Sequence, residues 1–397
     1  MRERKIIHIY ERSYDGSYFS PQGSDDYYLA GWASSVAKQT TKYDSKYSIE
    51  IWRPEREVQK PLSRNIQGIQ CRLFPVRSIR RYGDLSLEML REIGRQRKKH
   101  AILLHHHSIH HNTLYLLAFL FGRSPIVVQH HGDLAPLKIF RHKKRFRPLL
   151  KYFIEKKALR NVDHFFVLRN DEKEMLSAFL DPSRITVQTM GVDFDEFKPL
   201  NKHLARAKLG IPDQKKVILY VGKFYRLKGV DIILKTYEDL KNQLDIELIL
   251  VGGSPSDSLY QQARSSGARV YGYLPHHELQ LFYSAADVCL LPAFSSDYGG
   301  GIGVASVEAL ACGVPIITPV LKEFPAMGLE KLGKVPKDES DTEECILEIL
   351  KDPHPYKDCR EIAKAYFDWK TIISRTVRLY DRLFAEYYPA EKTDGLP

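Results

Sequence analysis

Short apolar runs and amphipathic stretches alternate along almost the whole chain. Runs such as KIIHIY at residues 5–10 are rich in isoleucine, which is typical of strands that are buried on both faces. The alternation predicts a parallel sheet covered by helices. In the first half, strands are predicted over residues 5–10, 48–53, 69–75, 101–105, 125–129 and 163–168, and helices over 26–39, 86–99, 110–121 and 171–180.

The pattern breaks at GVDFDEFKP, residues 191–199, and then begins again. We therefore predict two doubly wound domains that face each other across a cleft, with a boundary near residue 199. In the second half, strands are predicted over residues 216–221, 246–251, 269–271, 287–291 and 315–318, and helices over 226–242, 256–266, 276–285 and 303–312.

Composition excludes several classes of protein. The chain has 397 residues, of which 43% are hydrophobic and 27% are charged, so it is neither collagen-like nor wholly disordered. No apolar run approaches the ~18 residues of a membrane span, and the N-terminal residues do not resemble a signal peptide. The five cysteines contain no CxxC pair. This pattern predicts a reduced, cytoplasmic chain without a structural zinc site.

The positive charge lies in the first half. Residues 1–198 carry a net charge of +13 and the remainder −2. Residues 138–160 hold ten Lys or Arg and one Glu, with interleaved aromatic residues. A surface helix packed on its own domain would have such a sequence, but we favour docking on an anionic membrane face. Nucleic acid could use the same charge, but the sequence contains no recognised nucleic-acid-binding module.

A glycine-rich segment in the second half predicts an anion site. In DYGGGIGVASVEALACGVP the glycines Gly300 and Gly301 precede Ile302, and Gly303 begins a helix. Glycine lets the backbone approach a phosphate, and the free N–H groups of a helix start favour an anion. Glu308 lies one and a half turns into the helix and suits a ribose diol. A tight turn with an incidental glutamate is the alternative.

A second basic motif lies at the end of another strand. In VILYVGKFYRLKGVD, Gly222 ends the strand, and Lys223 and Lys228 lie in the loop that follows. Two ammonium groups can hold a pyrophosphate and stabilise a leaving group. A solvated basic loop is the alternative interpretation. Both motifs follow strands of one sheet, whose carboxyl ends are where open α/β folds bind ligands.

These motifs together resemble the family 4 glycosyltransferases of the GT-B fold. The family has a strand that ends in VG with a basic residue and a later KG, a proline at a strand end, and a helix with EAxACGxP. These match Gly222, Lys223, Lys228, Gly229, Pro292 and residues 308–315. Residues 367–384 resemble the family's C-terminal helices.

The resemblance implies the domain organisation. Residues 1–198 would form the acceptor-side domain, residues 199–370 the nucleotide-sugar domain, and residues 371–397 a helix that returns to the first domain. In the first domain, Gly23 stands where the family has a glycine-rich loop facing the donor. His131, in QHHGD, matches a strand-end His-Gly near the reacting centre.

Two residues depart from the family pattern. Lys223 replaces the usual arginine, which keeps the charge but loses the bidentate fork. Gly300 replaces the first glutamate of the helix motif, which the family uses near the donor sugar, although Asp297 could partly substitute. The identity of the donor therefore stays open.

The resemblance implies a retaining transferase without metal or other cofactor. It would move a sugar from a nucleotide diphosphate to a glycan or lipid-linked acceptor at the cytoplasmic membrane face. The implied catalytic residues are His131, Lys223 and Lys228, and the implied donor-binding residues are Gly23, Gly222, Gly300, Gly301, Ile302, Gly303 and Glu308. The alternatives are a non-catalytic nucleotide-binding or scaffolding member, motivated by Gly300, and a basic nucleic-acid-binding protein.

Histidines are concentrated in one part of the first domain. Eight of the fifteen lie between His100 and His131. A metal site is one interpretation. Because no acidic residue or cysteine has a matching spacing, we predict instead that polar residues have collected at strand ends.

Overall fold

The computed structural model describes residues 2–10, 25–29, 32–79, 83–109, 111–132, 146–294, 300–324 and 328–389. The chain divides into two compact units. Unit 1 consists of the described residues within Met1–Val167, Asp171–Gln188 and Ile373–Pro397. Unit 2 takes those of Leu168–Asn170 and Thr189–Ile372.

Unit 1 is built on a largely parallel sheet. Its strand order is β10-β9-β8-β7-β1-β2-β4-β3. The apolar runs of the central strands are buried on both faces, as expected when helices cover a parallel sheet. The strands are β1 (Arg4–Ile9), β2 (Ser48–Glu55), β3 (Leu62–Ile66), β4 (Ile69–Pro75), β7 (Ala101–His106), β8 (Ile126–Gln129), β9 (His164–Val167) and β10 (Ile185–Val187).

Three strands of unit 1 depart from the predicted pattern. Strand β3 pairs antiparallel with β4 at the edge of the sheet, through a turn in which Gln67 and Gly68 both have positive φ. The sequence LSRNI was not predicted as a strand, because its middle residues are exposed and polar. A separate antiparallel pair consists of β5 (Arg77–Ile79) and β6 (Gly83–Leu85).

The helices of the first half are close to the predicted positions. The helix predicted over 26–39 is instead two helices, the second of which continues to Tyr43. The helix α3 begins at a side-chain cap, since the Ser86 hydroxyl accepts a hydrogen bond from the Met89 N–H at 3.2 Å. The helices are α1 (Asp25–Tyr28), α2 (Trp32–Tyr43), α3 (Leu87–Lys99), α4 (Asn112–Leu120), α5 (Phe146–Leu159) and α6 (Asn170–Ser177).

Unit 2 contains a parallel sheet with the strand order β13-β12-β11-β14-β15-β16. Its strands are β11 (Lys216–Val221), β12 (Ile246–Val251), β13 (Arg269–Tyr271), β14 (Val288–Leu290), β15 (Ile316–Ile317) and β16 (Gly333–Lys334). Its helices are α7 (Lys202–Leu209), α8 (Val230–Leu240), α9 (Ser258–Ser265), α10 (Leu279–Ala285), α11 (Val304–Ala311), α12 (Asp341–Lys351) and α13 (Cys359–Phe367).

The helix predicted over 226–242 begins later than the sequence suggested. Arg226–Lys228 form a 3₁₀ turn, and Gly229 adopts a left-handed conformation with φ +74°. A left-handed residue ends a helical segment, so α8 begins only at Val230. The lysine of the KG motif is therefore presented on a tight turn.

The last helix, α14 (Trp369–Tyr387), begins in unit 2 and ends in unit 1. Within unit 2, Trp369 packs so closely on Gly191 that a Cβ there would lie 2.6 Å from the indole ring. Within unit 1, the Tyr388 hydroxyl donates a hydrogen bond to the Ile102 carbonyl at 3.0 Å. None of the helices in the described part of the chain combines the length and the apolar character that a membrane span requires.

Candidate functional site

The carboxyl ends of β11 and β12 meet in unit 2 at a close approach of two glycines. A Cβ on Gly252 would lie 2.7 Å from the Gly222 carbonyl oxygen, and Gly252 has φ +107°. Only glycine fits such a contact without displacing the backbone. The edge of the sheet therefore exposes main chain where the sequence predicted a phosphate.

Lys228 turns back toward this edge. Its Nζ lies 3.4 Å from the position that a Cβ on Gly222 would occupy. Burial lowers the pKa of the Lys228 ammonium, and the positive charge of Lys223 lowers it further. A cation in such surroundings is stabilised by an incoming anion. The two lysines of the motif are thus brought together.

The turn that carries Lys228 is fixed against β14. A Cβ on Gly229 would lie 2.1 Å from the carbonyl oxygen of Pro292, the proline of the strand-end motif. The motif glycine and the motif proline are therefore in contact, although they are 63 residues apart in the sequence. This contact fixes the position of the Lys228 turn relative to the sheet.

Helix α11 begins after a glycine. Gly303 is its N-cap, with φ +82° and no side-chain hydrogen bond to the first turn. Ile302 is buried, and a Cβ on Gly301 would lie 3.2 Å from Leu168 Cβ. Gly300 is half-buried, whereas Asp297 lies outside the described residues.

Glu308 is buried and held by two partners. The Tyr283 hydroxyl donates to Glu308 Oε2 at 2.6 Å, and His276 Nε2 bonds to Glu308 Oε1 at 2.6 Å. A carboxylate oxygen can accept about two hydrogen bonds, so these two partners do not saturate either oxygen. Burial, followed by the Glu308 charge, raises the pKa of Tyr283 well above its usual range.

The His276–Glu308 contact predicts a pH-dependent stability. The hydrogen bond to Glu308 raises the pKa of His276, so this contribution is fully present below the ordinary histidine pKa. It is lost as the pH rises through the raised pKa. We expect the urea midpoint of His276→Gln to be lower than that of the unaltered chain at pH 6. That difference should shrink toward pH 9.

His277→Gln is the matched control, since His277 is exposed on the same turn. Its urea midpoint should follow that of the unaltered chain at every pH. A His276→Gln difference that stays constant from pH 6 to 9 would show that the charged pair does not form.

In unit 1, His131 follows β8 and bonds to a second histidine. Its Nε2 lies 2.9 Å from His107 Nδ1, and burial lowers the pKa of His131 to about 3. His131 is therefore neutral at physiological pH. Gly23 and most of the basic stretch at 138–160 lie outside the described residues or side chains.

Two sequence-family models match the chain. "Glycosyltransferase Family 4" matches residues 44–196, and "Glycosyl transferases group 1" matches residues 201–366. The boundary between the matches falls close to the break at residues 191–199. The second match contains the whole glycine and lysine edge described above.

The chain belongs to the family 4 glycosyltransferases. Its fold is the GT-B fold, with two parallel-sheet units. Sucrose-phosphate synthase from Thermosynechococcus elongatus superimposes with a TM-score of 0.66 at 21% identity, over 97% of this chain and 100% of that one. Anabaena HepE in complex with UDP-glucose gives 0.63 at 14% identity, over 95% and 99%.

A curated relative matches a smaller part of this family 4 chain. D-inositol 3-phosphate glycosyltransferase of Mycobacterium tuberculosis is 29% identical over 270 residues, which is 62% of this chain. The match covers 54% of the relative, so it spans about half the length of that protein.

Sequence reasoning missed the side chains that position Glu308 in this family 4 glycosyltransferase. His276 and Tyr283 lie 32 and 25 residues before it. The strand order could have identified them. The loop after β13 and helix α10 return to the edge of the sheet where α11 begins.

Proposed function

We propose that the chain transfers a glycosyl group from a nucleotide-diphosphate sugar to an acceptor, with retention at the anomeric carbon. The observation that carries this proposal is the half-buried Lys228 ammonium, held beside Gly222 with a lowered pKa. Lys228 forms no ion pair with the described residues. A diphosphate would supply the negative charge that stabilises this ammonium.

The same groups would stabilise the leaving diphosphate. Negative charge grows on the diphosphate as the glycosidic bond breaks, and preorganised positive groups lower the barrier to that step. Lys223, Lys228 and the N–H groups at the start of α11 supply such charge within one unit. Glu308, through the remaining capacity of its oxygens, would accept hydrogen bonds from the ribose hydroxyls.

We propose displacement on the face that the diphosphate leaves. A departing phosphate oxygen would take the proton of the acceptor hydroxyl as the new glycosidic bond forms. This route needs no protein nucleophile and gives retention. For His131 we keep the role that the family resemblance implies, contact with the reacting sugar.

The donor is proposed to be a uridine-diphosphate sugar or a close analogue, because HepE has been solved with UDP and with UDP-glucose. The test is incubation with a panel of nucleotide sugars and a membrane lipid extract, with release of the nucleoside diphosphate as the readout. Release that depends on Lys228 supports a transferase. Binding without release would favour a non-catalytic member, as Gly300 allows.

We further propose that unit 1 docks on the anionic cytoplasmic face of a membrane, where a lipid-linked acceptor is available. The basic stretch at 138–160 supplies the charge. Helix α5, within that stretch, exposes two large apolar side chains, Phe153 at 61% and Ile154 at 47%. Exposed apolar residues beside lysines suit the lipid headgroup boundary.

Docking predicts salt-sensitive binding to vesicles. Flotation with vesicles that contain anionic phospholipid should fall as salt rises and persist in part, because apolar insertion is not screened. Replacing Arg141, Lys143, Lys144, Arg145 and Arg147 by serine should reduce flotation at low salt to that salt-resistant part. Phe153→Ser with Ile154→Ser should remove only the salt-resistant part. Equal flotation with neutral vesicles would favour a soluble acceptor.

A further inference from the structure

Three buried histidines of unit 1 lie on β1, on β7 and directly after β7. In the register of β1 and β7, His8 pairs with His105. His107 follows two residues after His105, and side chains two apart share a face of a strand. The ring centroids of His8 and His105 are 4.9 Å apart, and those of His105 and His107 are 4.5 Å apart. The sheet therefore gathers three imidazoles at one point.

Two ring nitrogens of this cluster have no hydrogen-bond partner among the residues that the structure describes. His105 Nε2 and His8 Nε2 are both buried and unsatisfied. The other nitrogen of each ring is occupied, since His105 Nδ1 lies 2.6 Å from the Tyr380 hydroxyl and His8 Nδ1 lies 2.9 Å from His107 Nε2. Buried polar atoms are normally satisfied, so a pair of orphans in one cluster needs a cause.

We propose that His8, His105 and His107 bind one divalent transition-metal ion, with Zn²⁺ as the ion that this ligand set suits best. One ring nitrogen from each residue lies within 4.8 Å of the others. In a tetrahedral zinc site with bonds of about 2.0–2.1 Å, ligand nitrogens lie about 3.3–3.4 Å apart. Because His107 Nδ1 bonds to His131, Nε2 is the His107 atom that would bind the ion. The ion would therefore replace the 2.9 Å hydrogen bond between His107 Nε2 and His8 Nδ1. Neutral imidazole is a good ligand for zinc.

The partners outside the cluster are those that metal-binding histidines use. Such a histidine directs its second nitrogen to a hydrogen-bond acceptor, which fixes its tautomer and orientation. The Tyr380 hydroxyl is the hydrogen-bond partner of the second nitrogen of His105. His131 Nε2 is the partner of the second nitrogen of His107, at 2.9 Å. The ion would thereby also orient His131. That consequence rests on the proposed function, whereas the binding of the ion does not.

The experiment uses the full chain without a histidine tag. The chain is stripped with a chelator, incubated with excess Zn²⁺, desalted and analysed for bound zinc. We expect about one zinc ion per chain, and at least about 100-fold weaker binding in His8→Phe and in His105→Phe. Tyr380→Phe, which removes only the outer hydrogen bond, should weaken binding about 10- to 100-fold.

Two matched variants serve as controls. Tyr387→Phe removes a different hydroxyl from the same helix, one that donates to Asp163 Oδ1 at 2.6 Å. His164→Phe removes another buried histidine of the same sheet, which bonds to Thr186. Neither should change zinc affinity. A zinc content unaffected by His8→Phe would place the bound ion elsewhere and overturn the proposal.

Cobalt gives a readout that does not depend on any variant folding. Co²⁺ bound to the unaltered chain should show the visible absorption of a tetrahedral nitrogen site, and added Zn²⁺ should remove it. Folded, unaltered chain that retains neither ion would show that the cluster is a metal-free chain of hydrogen-bonded imidazoles. That result would contradict the proposal whether or not the chain transfers sugar.

Discussion

Lys228→Ala is expected to lower kcat/KM for the nucleotide-sugar donor by about 30- to 1000-fold, which corresponds to about 2–4 kcal/mol. The ammonium lies beside the exposed main chain of Gly222 and is partly desolvated before any ligand arrives. Its charge acts mainly on the leaving diphosphate, so kcat should fall as well as the donor affinity. Steady-state rates of nucleoside diphosphate release measure both.

Arg226→Ala is the matched control for this substitution. Arg226 lies on the same 3₁₀ turn, but its side chain is 78% exposed and forms a salt bridge with Asp231 at 3.2 Å. Removing an exposed charge of this kind should change kcat/KM by less than about threefold. Lys228→Ala with a rate close to that of Arg226→Ala would remove Lys228 from the site.

Gly229→Ala is expected to destabilise unit 2 more than a positive φ alone explains. A left-handed conformation costs a non-glycine residue about 1–2 kcal/mol. Here the added methyl would also lie 2.1 Å from the Pro292 carbonyl oxygen, and relieving such overpacking costs about 1–3 kcal/mol more. The backbone must move, so the Lys228 turn is displaced and donor affinity should fall even in the folded protein.

Gly267→Ala separates the two effects. Gly267 has φ +87°, and no atom of the described residues lies within 4 Å of its Cβ position. It should therefore lose about 1–2 kcal/mol by urea unfolding and keep its donor affinity. Equal losses for Gly229→Ala and Gly267→Ala would contradict the close packing of the KG turn on the strand-end proline.

The buried parallel strands could be predicted because their residues are apolar on both faces. KIIHIY and KVILYV are examples, and both lie within one residue of the observed strands. The exposed edge strand β3 could not, since its LSRNI sequence carries neither a continuous nor an alternating apolar pattern. The start of α8 was predicted too early, because the sequence does not show that Gly229 adopts a left-handed conformation.

The residues of the candidate site likewise fall into those that the sequence could predict and those that it could not. Glycine and lysine motifs are local, so Gly222, Lys228 and Gly303 could be singled out from their own neighbourhoods. Contacts that depend on strand order could not be predicted in this way. Examples are the contacts of Tyr283 and His276 with Glu308, and that of His8 with His105. Spacing along the chain does not place His8 with the other histidines, whereas the register of β1 and β7 sets it beside His105. The roles of all these site residues, and those of His131 and Gly23, stay predictions.

Thermal unfolding with a panel of nucleotide-diphosphate sugars tests the donor site most directly. A ligand at a hundred times its Kd adds about 2.7 kcal/mol, which raises the Tm of a unit of this size by about 5–10 °C. We expect at least one nucleotide-diphosphate sugar to give such a shift, and Lys228→Ala to remove most of it. The absence of a shift with every nucleotide sugar and nucleoside diphosphate, at millimolar concentration, would contradict the donor site in unit 2.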